Sequence, residues 1–193
     1  MLKSIKISLR LLVLFTAVLG LCYPLAMTGA AQLLFPGQAN GSLLQEASGQ
    51  TLGSALIGQA FSEPQYFHGR PSAAGDDGYD AANSAASNLG PTSAKLIDQV
   101  AQRAEDLRRE NGKDQLAAVP GDLVTASASG LDPHISVAAA AFQSQRVAAA
   151  RNVAEEKVTA LIRVHTEKPL LGFLGEEQVN VVELNRALDQ LPE

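Results

Sequence analysis

Leu11-Leu-Val-Leu-Phe-Thr-Ala-Val-Leu-Gly20-Leu-Cys-Tyr-Pro-Leu-Ala-Met-Thr-Gly-Ala30-Ala-Gln-Leu-Leu-Phe35 is a 25-residue stretch without a charge. About 20 such residues cover the hydrocarbon core of a bilayer as a helix, so the run predicts one transmembrane helix with room for tilt. Pro24 is expected to kink it, and Pro36 stands just past its last apolar residue, where helices tend to stop.

The flanking charges orient the span. Lys3, Lys6 and Arg10 precede it, and the first charges beyond it are Glu46 and Glu63. Cations stay on the cytoplasmic side, so residues 1–10 are expected in the cytoplasm, 11–35 in the membrane, and 36–193 outside as an extracytoplasmic domain. Taking the three N-terminal cations from the total of 15 leaves 12 basic against 20 acidic residues, a net of −8 for the outer part. Such an acidic exterior argues against nucleic acid and against docking on anionic lipid. A cleaved signal peptide with Thr28-Gly29-Ala30 as its cleavage site would place a binding module outside the cell. Against it, apolar character continues through Leu33-Leu-Phe35, past the usual end of a signal core. A lipoprotein anchor on Cys22 would want a small residue before it, and Leu21 is not small. Cys22 is the only cysteine, so the outer part has no disulfide and needs a packed core or a partner. Thr16 with Gly20, and Ala26 with Ala30, form two small-xxx-small pairs that allow a partner helix to approach in the membrane.

Beyond the span, residues 36–52 read as a polar exit with a turn at Ala39-Asn-Gly-Ser42. Gly53-Ser-Ala-Leu-Ile-Gly58 and Gln65-Tyr-Phe-His-Gly69 have the composition of short strands, and 73–93 that of a long loop. Ser93 is placed to cap a helix ending near Asn111-Gly112, with Leu96, Ile97, Val100, Ala104 and Leu107 on one face. Leu123-Val-Thr125 reads as a strand. Ser136 caps an Ala-rich helix through Ala150, and Asn152 with Glu155 predicts the capping box of a third helix carrying Val158, Leu161 and Ile162. Val179–Val182 is a last strand, followed by a short helix with Leu184, Leu188 and Leu191. The pattern predicts a single N-terminal transmembrane α-helix followed by one mixed α/β (α+β) extracytoplasmic domain.

Catalytic signatures are sparse. The chain has neither a G-x-x-x-x-G-K-[ST] phosphate loop nor the Asp-Lys-Thr-Gly of P-type ATPases. His68, His134 and His165 are far apart and lack zinc-site spacing. Thr125-Ala-Ser-Ala-Ser-Gly-Leu-Asp-Pro-His134 gathers serines, an acid and an imidazole, so a membrane-tethered serine hydrolase using Ser127 or Ser129 with His134 is the enzymatic alternative. The G-x-S-x-G elbow is missing from it. Arg70, in His68-Gly-Arg-Pro-Ser72, is able to clamp a carboxylate or phosphate of a partner or pair with a surface acid. Gln143 and Arg146 lie three apart on the Ala-rich helix, a spacing that lets them project together and that a solvated helix face explains equally well.

Taken in order, these blocks resemble the C subunit of the bacterial potassium-transporting Kdp ATPase. They are Tyr23-Pro24, Gln38–Leu43, Gly53–Phe61, Tyr66–Ala73, Ser87–Thr92, Val119–Asp132, Gln143, Arg146-Val147, Ala150–Asn152, Val179–Asn185 and Ala187–Asp189. The family usually has glycines where this chain has Ala85-Ala86, and often one where it has Ala128, so a positive φ at these sites is in question. The resemblance implies a non-catalytic subunit of a four-part pump, without a cofactor of its own. A channel-like A subunit conducts K+, a P-type B subunit handles ATP and Mg2+, a small F subunit stabilises the complex, and the C subunit serves assembly. It also implies a catalytic-chaperone role raising the B subunit's ATP affinity, which falls on Gln143. An acidic domain at the channel mouth would in addition concentrate cations there, within a screening length of about 8 Å.

Overall fold

The computed structural model describes residues 1–46 and 49–191. It comprises two units, Met1–Ser54 and Ala55–Glu193.

In the first unit the apolar run forms one helix over Leu2–Leu34, with its side chains exposed along its length. Helix α1 (Leu2–Ala17) passes through a π turn (Val18–Cys22) into α2 (Tyr23–Leu34). The wide turn answers Pro24. A proline ring clashes with the carbonyl four residues back and offers it no N–H, and a π turn opens the helix where that carbonyl, on Gly20, lies. The Tyr23 N–H accordingly donates to Val18, five residues back. Phe35 leaves the helix at φ −137°, and Pro36 starts the short α3 (Pro36–Ala39). The expected polar exit contains an antiparallel hairpin of β1 (Leu43–Gln45) and β2 (Thr51–Ser54), which composition does not reveal; positions 47 and 48 lie outside the described residues.

The second unit contains α4 (Ala94–Glu110), α5 (Gly121–Val124), β3 (His134–Ser136), α6 (Val137–Arg151), α7 (Glu155–Val164), β4 (Thr166–Glu167), β5 (Gln178–Asn180) and α8 (Val181–Asp189). The three strands form an antiparallel sheet in the order β3-β5-β4, with Val179 opposite both Ile135 and Thr166. Phe67, Ile135, Val147, Val158, Val179, Leu184 and Leu188 build the core. The buried alanines 139, 140 and 148 let α6 approach its neighbours closely. A mixed helix–strand unit behind one apolar helix is therefore what the chain forms.

Several local expectations are corrected. Gly53–Gly58 is not a single strand: β2 ends at Ser54 and a turn follows. Leu123–Thr125 is not a strand, because Thr125 closes the helical turn α5 by donating both its N–H (3.0 Å) and its hydroxyl (2.7 Å) to the Gly121 carbonyl. Asn152 does not cap α7. It sits in the left-handed region (φ 53°, ψ 41°) and terminates α6, while Ala154 precedes α7 and Glu155 accepts from the Ser144 hydroxyl at 2.7 Å. The Val179–Val182 strand is shorter than expected, since Asn180 accepts from the N–H groups of Val182 and Glu183 and starts α8 there. Ser136 caps α6 as expected, accepting from Ala139 N–H at 3.0 Å. Ala85, Ala86 and Ala128 are not among the residues with positive φ, so alanine fits each without strain.

Because Asn152 holds a left-handed C-cap, Asn152→Gly should leave stability within a few tenths of a kcal/mol, whereas Asn152→Val should cost roughly 1–2 kcal/mol. Thermal unfolding of the full chain in detergent, read by circular dichroism, checks the difference.

Candidate functional site

Gln65–Gly69, expected as a strand, has no ladder partner; side chains take the ladder's place. Gln143 and Arg146, three apart on α6, face this segment together with Arg151 from the helix end and Asn185 from α8. Arg146 Nη1 donates to the carbonyls of Pro64 (2.5 Å) and Tyr66 (3.0 Å). Arg151 Nε donates to Gln65 (2.8 Å), Asn185 Nδ2 to Phe67 (2.9 Å) and Gln143 Nε2 to His68 (3.1 Å). Five successive carbonyls, Pro64 to His68, are thus satisfied by four side chains. In return the Phe67 and His68 N–H groups donate to Asn185 Oδ1 and Gln143 Oε1, each at 2.8 Å. Each amide grips both polar groups of one residue, as a neighbouring strand would. Phe67 is thereby fixed in the core.

Gln143 is fully buried (0 % exposed) and its hydrogen bonds are spent inside the unit. Besides His68, its Oε1 accepts from Arg146 Nη2 at 2.8 Å and its Nε2 donates to the Ala139 carbonyl at 3.3 Å. The Arg146 guanidinium is buried as well, with Nε donating to Asn111 Oδ1 at 3.0 Å and standing 3.5 Å from Glu110 Oε1. Burial lowers its pKa, and Glu110 opposes the shift. Arg151 also pairs with Asp189 at 2.7 Å and covers the Tyr66 ring at 5.0 Å.

A cleft of about 400 Å³ opens beside this clamp, between the 60–79 loop and α4. His68, Arg70, Asp76, Asp77, Asp106 and Glu110 are among its lining residues. His68 Nδ1 lies 3.1 Å from Glu110 Oε1, with Nε2 at the Glu63 carbonyl. Burial and the nearby Arg146 push the imidazole below its ordinary 6.5, against the pull of Glu110. Arg70 pairs with Asp132 at 3.1 Å. The Tyr79 hydroxyl donates to the Arg70 carbonyl at 2.7 Å, and burial, reinforced by Asp132, pushes its pKa up to about 12. A Cβ on Gly58 would lie 2.6 Å from the Tyr79 ring and 2.8 Å from the Asp132 carbonyl, so Gly58 has to be glycine for this loop to close.

The Ser127 and Ser129 hydroxyls accept from the Gly130 and Leu131 N–H groups at 2.9 and 3.1 Å, closing a turn. His134 instead meets Asp132 Oδ1 at 3.4 Å and Glu167 at 3.8 Å. The Asp132 hydrogen bond raises the His134 pKa and lowers that of Asp132. Among the described residues no hydrogen bond joins either serine to His134. Nor does any group of three or more His, Cys, Asp or Glu side chains there suit a metal ion. Thr16, Gly20, Ala26 and Ala30 lie on the exposed surface of the long helix, with Gly20 inside the π turn and Ala26 and Ala30 on α2 beyond it. Reasoning from sequence misses Asn185, Arg151 and Tyr79 as members of the site. The first two stand inside the quoted family blocks, whereas only the fold reveals the part Tyr79 plays.

Gln143→Ala should cost about 2–4 kcal/mol, because it strands both polar groups of His68 and one bond of Arg146. Asn185→Ala should cost a similar amount, and the double variant less than their sum, since either change releases the same segment. Urea unfolding of the four proteins measures the coupling. The two histidines give opposite pH responses. His134, with its folded pKa raised, contributes stability that is complete below 6.5 and is lost as pH rises through the folded value. His68, with its folded pKa lowered, contributes none above 6.5 and destabilises as pH falls from 6.5 through the folded value. His68→Gln should therefore remove the acid-side loss between pH 7 and 5 that the unaltered chain shows in urea midpoints.

Known proteins share this sequence along nearly its whole length. The family model described as K+-transporting ATPase, c chain (KdpC) matches residues 5–190. A potassium-transporting ATPase KdpC subunit of Caulobacter vibrioides is 56 % identical over 189 residues, covering 98 % of this chain and 94 % of its own. That of Mycobacterium tuberculosis is 55 % identical over 184 residues (95 % and 96 %), and that of Bradyrhizobium diazoefficiens 53 % over 201 (98 % of each).

Proposed function

We propose a role that starts from one premise: this chain belongs to the KdpC family, the c chain of K+-transporting ATPases. It is an accessory, non-catalytic subunit of an ATP-driven potassium pump. The long apolar helix spans the inner membrane with Lys3, Lys6 and Arg10 in the cytoplasm, and the second unit lies outside. Thr16, Gly20, Ala26 and Ala30 pack against helices of the channel (A), ATPase (B) and small (F) subunits. ATP, Mg2+ and K+ are handled by the rest of the complex. The observation that carries this reading is the family match from residue 5 to residue 190, which takes in both the anchor and the clamped unit.

A chaperone effect on ATP affinity, where present, is indirect. Gln143 is buried with its amide spent on His68, Ala139 and Arg146, so it has nothing left to offer a nucleotide. On the orientation proposed it also stands across the membrane from cytoplasmic ATP. Its influence passes through the shape of the 63–70 segment and the Arg70 cleft, which present the surface to a partner, and coupling of that kind needs no contact with the ligand it affects. Ser127 and Ser129 with His134 serve the turn and the Arg70–Asp132 pair; a Ser127→Ala, Ser129→Ala chain retaining full pump activity supports this over the hydrolase alternative.

Mild-detergent purification of the chain from potassium-starved cells should bring down a multi-span channel protein and a large ATPase containing Asp-Lys-Thr-Gly, identified by mass; recovery of the chain alone would sink the assignment. In the purified complex, Asn185→Ala should raise the apparent KM for ATP in step with Gln143→Ala. A rise confined to Gln143→Ala would instead mean a direct role for that residue.

A further inference from the structure

The turn between β4 and β5 carries Leu170, Leu171, Phe173 and Leu174, which are 71, 75, 72 and 52 % exposed. They form a closed hairpin tip rather than a loose loop. Leu170 and Leu174 bridge antiparallel, Leu174 N–H donates to the Leu170 carbonyl at 3.0 Å, and Gly172 N–H to Pro169 at 2.9 Å. Leu171 is held at φ 57°, a region that disfavours a leucine, and Gly172 follows at φ 81°. The backbone thus accepts a poor conformation and turns four large apolar side chains towards solvent. Exposed clusters of this kind mark surfaces that are covered in use.

We propose that this tip docks into the neutral lipid interface of the membrane that the same chain crosses, resting on the reading of Leu2–Leu34 as a span. Three observations favour lipid over a protein pocket. The patch is a convex turn, and a bilayer receives such a shape without a complementary cavity. Its flanks carry Glu167 and Lys168 on one side and Glu176 and Glu177 on the other, a net acidic rim that suits zwitterionic headgroups better than anionic ones. The tether also enters the second unit nearby. Ala55, its first residue, accepts from Asn180 Nδ2 at 2.7 Å, and Asn180 lies five residues past Gly175. At roughly 3.3 Å per residue, the nine residues from Leu171 to Asn180 keep the tip within about 30 Å of Asn180. Docked this way, Leu171 and Phe173 enter the acyl boundary as the apolar face of an interfacial segment does.

The test uses the full chain with Cys22→Ala, carrying one environment-sensitive fluorophore on Leu171→Cys, Leu14→Cys or Leu116→Cys. Each chain is reconstituted in phosphatidylcholine vesicles. Leu116, 97 % exposed in the loop after α4, is the aqueous control, and Leu14 reports the anchor. Docking predicts that nitroxide-labelled phosphatidylcholine quenches the probes at 171 and 14 but not at 116, while iodide quenches 116 several-fold more than 171. Lipid quenching at 14 but not at 171 overturns tip docking and leaves the span intact. Quenching at neither removes the membrane reading together with the proposal.

Discussion

Four side chains that stand in for a β-strand hold the second unit of this molecule together. Residues 64–68 carry Phe67 into the core without a neighbouring strand, and a buried peptide group without a partner costs about 1–3 kcal/mol. Gln143, Arg146, Arg151 and Asn185 supply those partners from two helices. Because they also hold one another, as Arg146 holds Gln143, the network is satisfied as a whole. Phe67 packs because its backbone is gripped, and the loop that follows is placed because His68 is. Arg70, Ser72 and Tyr79 then inherit positions that nothing local in their sequence dictates.

The parts of the fold legible in the sequence are those governed by period and capping. The apolar run, the helix between Ser93 and Asn111 (where the Ser93 side chain makes no cap bond) and the Ser136 cap follow from rules acting over a few residues. The failures share a cause as well. Gln65–Gly69 has the composition of a strand because Phe67 is buried as a strand residue would be, but composition does not reveal that its partner is a set of side chains 75 to 118 residues away. Asn152 has the residue type of an N-cap and serves the preceding helix as a C-cap, a choice that turns on one φ. Leu123–Thr125 is apolar enough for a strand, yet the Thr125 hydroxyl returns to Gly121 and closes a helical turn.

At the site the division is similar. Gln143, Arg146 and Arg70 stand out by residue type, and the family blocks already contain Arg151 and Asn185. Their convergence on one stretch of backbone is invisible in the sequence, since it depends on α6 and α8 presenting their polar residues to the same segment. The family of K+-transporting ATPase c chains gives these blocks a context. The geometry adds what they do physically, which is to keep one loop in one shape.

The distances along the chain within the clamp bear on how the protein is made. Phe67 is held by Asn185, 118 residues later, so its peptide groups stay without that partner until α8 has been made. At a synthesis rate of about 5–20 residues per second, that interval is on the order of ten seconds, during which the apolar N-terminal helix has already emerged. The second unit therefore closes its clamp through α8, long after the apolar helix has been made. A chain stopped short of α8 would keep the long apolar helix yet leave the Phe67 peptide groups without their Asn185 partner, so the clamp depends on the last helix described.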